Sequence, residues 1–284
     1  MSASGARQRP VRRGAYILPS LFTIGNLFLG FFALMQTLKA VLEPDAAGGY
    51  MDAAAKAIGY AVLFDGFDGR IARMMGTDSE FGREFDSLAD VITFGAAPAV
   101  LAFAWGLSFL DPLTAGAGLD HLHRVGWFLS FLFLMCGAAR LARFNITTNP
   151  LPANPGRPGR KYFVGLPIPA GAGLVAAIVH VGNGEPLQQW PVAVIWLAIL
   201  LCTSLLMVSR WRYYSFKDIN LRKRHPVVVV VMIGGLVSSI YFYSEPVLLA
   251  IAGTYVLSGV VTRIGGIIRR MQSRAAPPQD ILAQ

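Results

Sequence analysis

Long apolar segments alternate with short polar ones along almost the whole chain. Predominantly apolar windows of about 20 residues occur at 17–40, 54–75, 82–108, 125–145, 163–182, 190–209, 226–243 and 246–266. A helix of about 20 apolar residues crosses the hydrocarbon core of a bilayer. The pattern therefore predicts an all-α polytopic membrane protein, a bundle of about eight transmembrane helices in a single domain over residues 17–266.

The composition agrees with this pattern and excludes several other classes. Of the 284 residues, 54% are hydrophobic and only 14% are charged, which is typical of a membrane protein and not of a soluble domain. The only two cysteines, Cys136 and Cys202, lie inside apolar segments, so no disulfide framework or thiolate metal site is expected.

The basic residues indicate how the chain is oriented. All except Lys39, Lys56 and Arg124 fall in the N-terminal tail, in the loops after the second, fourth and sixth segments, in the C-terminal tail, or at the adjoining segment ends. Cytoplasmic loops carry this excess of Lys and Arg. We therefore expect a multi-pass protein of the cell (inner) membrane with cytoplasmic tails at 1–16 and 267–284, and no nucleic-acid partner.

Four aspartates interrupt the apolar pattern in "DGFDGRIARMMGTDSEFGREFDSLAD", residues 65–90. Asp65 and Asp68 are three residues apart, and Asp86 and Asp90 are four apart, so each pair shares one face of a helix. A short linker makes the two helices an antiparallel hairpin whose acidic faces meet near its cytoplasmic end. One such carboxylate costs about 2.5 to 3.5 kcal/mol in lipid, so the sequence predicts that all four face a site inside the protein.

Converging carboxylates repel each other unless a cation lies between them. Hard oxygen ligands without nearby His or Cys favour Mg²⁺ or Mn²⁺ over Zn²⁺, and Mg²⁺ on carboxylates in turn suggests a phosphate substrate. The alternative is that Arg70, Arg73 and Arg83 neutralise the carboxylates as a salt-bridged helix end.

The acidic segment contains D-x2-D-G-x2-A-R-x8-G-x3-D-x3-D, which resembles the signature of the CDP-alcohol phosphotransferases. These are integral membrane enzymes that move a phosphatidyl-type group from a cytidine-diphosphate lipid to an alcohol. The resemblance implies that two metal ions bind to Asp65, Asp68, Asp86 and Asp90, and that Asp90 also acts as the general base. It further implies cytidine diphosphate binding by Gly69, Ala72, Arg73 and Gly82, with Thr23 and Asn26 of the first segment against the site.

Four further stretches, 18–31, 81–99, 140–145 and 165–173, resemble the bacterial membrane-embedded phosphatidylserine synthases of that family. The resemblance implies a six-helix core followed by two C-terminal helices, and a homodimer. It also implies transfer of the phosphatidyl group from CDP-diacylglycerol to the hydroxyl of L-serine, with release of CMP. Residues 17–266 would then be the catalytic domain.

The acceptor site is the least determined part of the sequence. Arg140, Arg143, Asn145 and Lys161 are placed to bind the carboxylate of serine, because a guanidinium fork matches a carboxylate. They could instead be anchors at the cytoplasmic interface. Glycerol 3-phosphate or an inositol-type alcohol remains an alternative acceptor, and an ion-coupled transporter is the alternative of another class, although the acids lie on one hairpin only.

Overall fold

The computed structural model describes residues 17–75, 80–147, 162–214 and 226–275. Most of these residues are helical, and the helices run in the order α1 (Ile17–Leu42), α2 (Ala47–Met75), α3 (Glu80–Asp90), α4 (Ala97–Leu107), α5 (Pro112–Ala115), α6 (Leu119–Thr147), α7 (Ile168–Val181), α8 (Trp190–Val208), α9 (Pro226–Phe242) and α10 (Ser244–Ala275). Two three-residue strands, β1 (Tyr162–Val164) and β2 (Arg212–Tyr214), pair antiparallel with Phe163 opposite Tyr213.

The predicted fold class is confirmed, since a helix forms within each of the eight apolar segments. Within the described ranges, five stretches are long and apolar enough to cross a membrane: Leu21–Leu42, Phe81–Leu107, Leu119–Ile146, Trp190–Val208 and Ser244–Gly265. Helix α7 is also apolar but has only 14 residues. The protein is therefore an all-α polytopic membrane protein to which a short β-ribbon is added.

Several details of the predicted segments were wrong. The second helix begins at Ala47 instead of residue 54, so Asp52 lies in α2 and not in a loop. The fifth begins at Ile168 instead of residue 163, after β1 and a turn at Gly165 with φ +80°. The third segment is not a regular α-helix, because Val91–Ala96 forms a π-helical turn between α3 and α4.

Small residues let the helices approach closely around the carboxylate hairpin. Helix α1 packs along α2, and the buried Ala33, Ala40, Ala54 and Ala61 on these two helices leave room for the contact. Helix α6 packs on α8, while α7 lies against both α2 and α10. The hairpin thus packs against α1 and α7, α6 contacts the π-helical turn that follows the hairpin, and α10 packs on α7.

A polar cluster joins three helices at the end of the bundle opposite the carboxylates. His180 Nδ1 lies 2.5 Å from Asp52 Oδ1, and His180 Nε2 lies 3.0 Å from Ser244 Oγ. Lys56 completes the cluster through a 2.6 Å ion pair with Asp52. We call these four residues the His180 cluster. It fixes the first turns of α2 and α10 to the last turn of α7.

Candidate active site

The hairpin of α2 and α3 brings Asp65, Asp86 and Asp90 together. One carboxylate oxygen from each lies within 4.8 Å of the others. Asp65 and Asp86 are half-buried, whereas Asp90 is only 7% exposed. The acidic faces therefore meet inside the protein, and their oxygens are close enough to share one bound ion.

Helix α1 supplies a polar partner to the most buried of these carboxylates. Asn26 Nδ2 donates to Asp90 Oδ1 over 3.4 Å, and Asn26 itself is 2% exposed. Thr93 Oγ1 donates to the backbone carbonyl of Asn26 over 3.1 Å, which ties α1 to the π-helical turn. Asn26 thus fixes the orientation of Asp90.

The π-helical turn begins directly after Asp90 and changes the direction of the side chains that follow. Single π turns inside α-helices are frequent at functional sites. The turn places Thr93 against α1, at a point where Gly30 has no side chain. A Cβ at Gly30 would lie 2.7 Å from the Cα of Thr93, so only glycine permits this approach.

We call the place where Asp65, Asp86, Asp90 and Asn26 meet the pocket. Its oxygen ligands fit a divalent cation. All three carboxylates offer hard oxygens, which Mg²⁺ and Mn²⁺ prefer. The side-chain oxygen of Asn26 is buried beside them and has no hydrogen-bond partner among the residues that the structure describes. A cation here would offset the repulsion between three neighbouring negative charges. The cluster could therefore bind a metal ion.

Arg140 brings a positive charge to the same pocket. This α6 residue is 8% exposed, and its guanidinium interacts electrostatically with Asp90, Asp65 and the phenol of Tyr255. Its Cζ also lies 5.8 Å from the centre of the Phe144 ring. A buried guanidinium beside carboxylates is placed to bind an anionic group of a substrate as well.

The neighbouring Arg143 makes a different set of contacts. Its guanidinium donates to the backbone carbonyls of Val164, Val208 and Ser209 over 3.3 to 3.5 Å. These carbonyls belong to β1, the end of α8 and the turn before β2. Arg143 thereby connects α6 to the β-ribbon, a role that the sequence did not predict.

The remaining predicted site residues are placed as follows. Asn145 is exposed and donates to Ser87 Oγ over 2.8 Å, which links α6 to α3. Thr23 is buried on α1 one turn before Asn26, and Gly82 lies on α3 one turn before Asp86. Lys161 lies outside the described part of the chain. The surroundings of Asp68, Gly69, Ala72 and Arg73 on α2 also lie outside it, and so does the side chain of Arg70 from the salt-bridge alternative.

Sequence reasoning missed Tyr255. This half-buried α10 residue interacts with the Arg140 guanidinium, and its ring centre lies 5.8 Å from that of Tyr213 in β2. Tyr255 is 165 positions from Asp90 along the chain, and no motif in the sequence connects the two. Only the packing of α10 on α7 brings it to the pocket.

Comparisons with known proteins agree with this geometry. A protein from Helicobacter pylori named CDP-diacylglycerol–serine O-phosphatidyltransferase is 32% identical over 247 residues, 87% of this chain and 90% of its own. A protein of the same name from Mycobacterium leprae is 34% identical over 223 residues, which are 76% of this chain and 64% of its own. Another from Saccharomyces cerevisiae is 37% identical over 158 residues, which are 56% of this chain and 51% of its own. The sequence model of the CDP-alcohol phosphatidyltransferases matches residues 16–205. Because that match covers well over half of the chain and includes the whole acidic signature, this chain belongs to the CDP-alcohol phosphatidyltransferase family.

Proposed function

We propose that this protein transfers the phosphatidyl group from CDP-diacylglycerol to the hydroxyl of L-serine, giving phosphatidylserine and CMP. The observation that carries the proposal is the convergence of Asp65, Asp86 and Asp90 on one place, with the buried Asn26 against them. The names of the similar proteins from three organisms support serine as the acceptor.

We propose Mg²⁺ or Mn²⁺ as the cofactor, as two ions held by Asp65, Asp68, Asp86 and Asp90. When bound, the ions would neutralise the diphosphate and the charge that develops on the departing CMP. The buried Asn26 oxygen lies at the edge of this ligand set. The binding residues for cytidine diphosphate would be Thr23, Asn26, Gly69, Ala72, Arg73 and Gly82.

Asp90 is our proposed general base. A serine hydroxyl is a weak nucleophile at neutral pH, so a carboxylate that accepts its proton assists attack on the phosphorus next to diacylglycerol. The bond from that phosphorus to CMP breaks as the new bond to serine forms. The amide of Asn26 donates to Oδ1 of Asp90 and so helps to orient the carboxylate for this step.

The acceptor would be bound from α6. The guanidinium of Arg140 is buried beside the carboxylates, so it is suited to the carboxylate of serine. Arg143, Asn145 and Lys161 complete the proposed set. Because Arg143 contacts three backbone carbonyls, its contribution would be to hold the wall of the pocket in place.

The active site and both termini would face the cytoplasm of a cell (inner) membrane, with 1–16 and 267–284 as tails of a catalytic domain at 17–266. The clustering of basic residues at one end of the helices supports this orientation. Resemblance to the family also suggests a homodimer surrounded by membrane lipids. Cross-linking in intact membranes at increasing dilution of the protein would test the dimer.

The experiment for the reaction supplies purified protein in vesicles with CDP-diacylglycerol, Mn²⁺ and one acceptor at a time. Serine should give phosphatidylserine and an equal amount of CMP, both measured by mass spectrometry. Product formed only with glycerol 3-phosphate or inositol would replace the acceptor and keep the reaction class. Solute uptake into the vesicles without CMP release would instead indicate a transporter.

A further inference from the structure

The last helix, α10, lies beyond residues 16–205, the part of the chain that matches the family as a whole. Members of a family with one donor and several acceptors must differ where the acceptor binds. A helix outside the common region that reaches the pocket is therefore a natural place for acceptor selection. Helix α10 reaches it through Tyr255.

The depth of Tyr255 follows from the two ends of the bundle. Asp52 and Ser244 meet at His180, so α2 and α10 start from the same level. Asp65 lies 13 positions along α2 and Tyr255 lies 11 along α10, which at 1.5 Å per residue places them about 20 Å and about 16 Å further. The two side chains therefore come to nearly the same depth.

The surroundings of Tyr255 fix its ring in place. The Tyr213 ring packs against it at 5.8 Å between centres, tilted by 39°. Tyr213 is fully buried, and its ring fills the space that Gly259 leaves on α10 one turn after Tyr255. The Tyr213 hydroxyl is buried without a hydrogen-bond partner within the described ranges. Tyr255 on α10 thus interacts with the Arg140 guanidinium on α6, and Tyr213 packs against Tyr255 from β2.

Serine carries a carboxylate and an ammonium group in addition to its hydroxyl. Arg140 matches the carboxylate but repels the ammonium. Phenol oxygens accept hydrogen bonds from an ammonium group, and the faces of aromatic rings attract cations. If Asp65 and Asp90 bind metal ions, their carboxylates do not serve to bind the ammonium group. Tyr255, which interacts with Arg140, is then a group that suits an ammonium.

We infer that Tyr255, supported by Tyr213, binds the ammonium group of an amino-acid acceptor and thereby selects serine over alcohols that lack an amino group. This inference rests on the proposed function. It assigns a substrate-binding role to a helix outside the family's common region. Arg140 would bind the carboxylate of serine, and Tyr255 would bind its ammonium group.

The test measures initial rates of phosphatidylserine formation in vesicles containing CDP-diacylglycerol and Mn²⁺. Tyr255→Leu should raise the KM for serine about tenfold or more, and Tyr255→Phe, which keeps the ring, should raise it less. The KM for CDP-diacylglycerol should change by less than about twofold in both variants, because the inference places only the acceptor against Tyr255. Tyr241→Leu on α9 is the matched control, since Tyr241 is 82% exposed and lies at the end of α9 that leads to Ser244 in the His180 cluster.

A second readout separates recognition from structural support. The competitor 3-hydroxypropanoate has the hydroxyl and carboxylate of serine but no ammonium. Its inhibition constant should stay unchanged in Tyr255→Phe and rise in Arg140→Lys. An unchanged KM for serine in both Tyr255 variants, or a parallel rise in the inhibition constant, would overturn the inference while the proposed function stands. A wild-type protein that makes no phosphatidylserine would remove both.

Discussion

Replacing Gly30 with alanine should disrupt the pocket although it removes no polar group. The added Cβ would lie 2.7 Å from the Thr93 Cα, whereas ordinary contact begins at 3.4 Å, so α1 and the π-helical turn must separate by about 0.7 Å. Overpacking of this kind costs about 1 to 3 kcal/mol of stability. The same shift moves Asn26 away from Asp90, whose hydrogen bond is already 3.4 Å long.

The expected activity loss follows from that displacement. A misplacement of about 1 Å near a reacting group reduces the rate by about a hundredfold, so we expect Gly30→Ala to lower kcat by about 10- to 100-fold. The assay is CMP release with saturating CDP-diacylglycerol and serine, together with thermal unfolding in detergent.

Gly25→Ala on the same helix is the matched control. Among the described side chains, a Cβ there would meet only the Phe64 ring, at 3.7 Å, which is ordinary contact. Gly25→Ala should therefore keep both its activity and its melting temperature. If Gly30→Ala were as active and as stable as Gly25→Ala, the close approach of α1 to the π-helical turn would not be what positions Asn26 and Asp90.

Three other changes test separate parts of the structure. Asn26→Leu removes the hydrogen bond to Asp90 at similar volume and should lower kcat by about tenfold or more, measured by CMP release; an unchanged rate would show that Asp90 needs no partner from α1. His180→Ala removes the contacts to Asp52 and Ser244 and should lower the unfolding free energy by about 2 kcal/mol in denaturant titrations, and an equal stability would mean that the cluster does not hold α10. Burial raises the pKa of Tyr213 to about 12, so the neutral phenol stabilises the fold fully below pH 10 and loses this effect as the pH rises to 12. The stability of wild type relative to Tyr213→Phe should therefore fall over that window and stay level below it.

The carboxylate hairpin was the most predictable part of the molecule, for an energetic reason. Placing a charged residue in a membrane helix costs so much free energy that several of them on one helix face indicate a site inside the protein. The spacing predicted shared faces for Asp86 and Asp90, and the structure brings both within 4.8 Å of Asp65. The position of Asn26 beside this group was expected from the family resemblance, although its bond to Asp90 was not.

The π-helical turn was not predictable, because its residues are equally compatible with an α-helix. The segment Val91–Ala96 is apolar, and hydropathy does not distinguish the 3.6 residues per turn of an α-helix from the wider π-helical turn. The bond from Thr93 to Asn26 and the need for Gly30 both depend on that turn. The sequence therefore predicted the acidic face but not the contact that holds it.

Contacts between distant segments were beyond sequence reasoning for a different reason. Windows of hydropathy place Asp52 in a loop, because the small residues around Gly48 lower the apolar average, yet the helix extends through them. His180 and Ser244 acquire partners only once α2, α7 and α10 are neighbours. The same holds for Tyr255 and Arg140, since the sequence of a single helix does not determine which helices pack beside it.

The central claim is that Asp65, Asp86 and Asp90 form one cation site. Measuring Mn²⁺ binding by electron paramagnetic resonance tests it most directly. The protein in detergent is titrated with Mn²⁺ as wild type and as Asp65→Asn, Asp86→Asn and Asp90→Asn, with Asp52→Asn at the other end of the bundle as the control. We predict that each of the three variants weakens Mn²⁺ binding by at least about tenfold and that the control binds as wild type does. Equal Mn²⁺ affinity in wild type and all three variants would contradict the account.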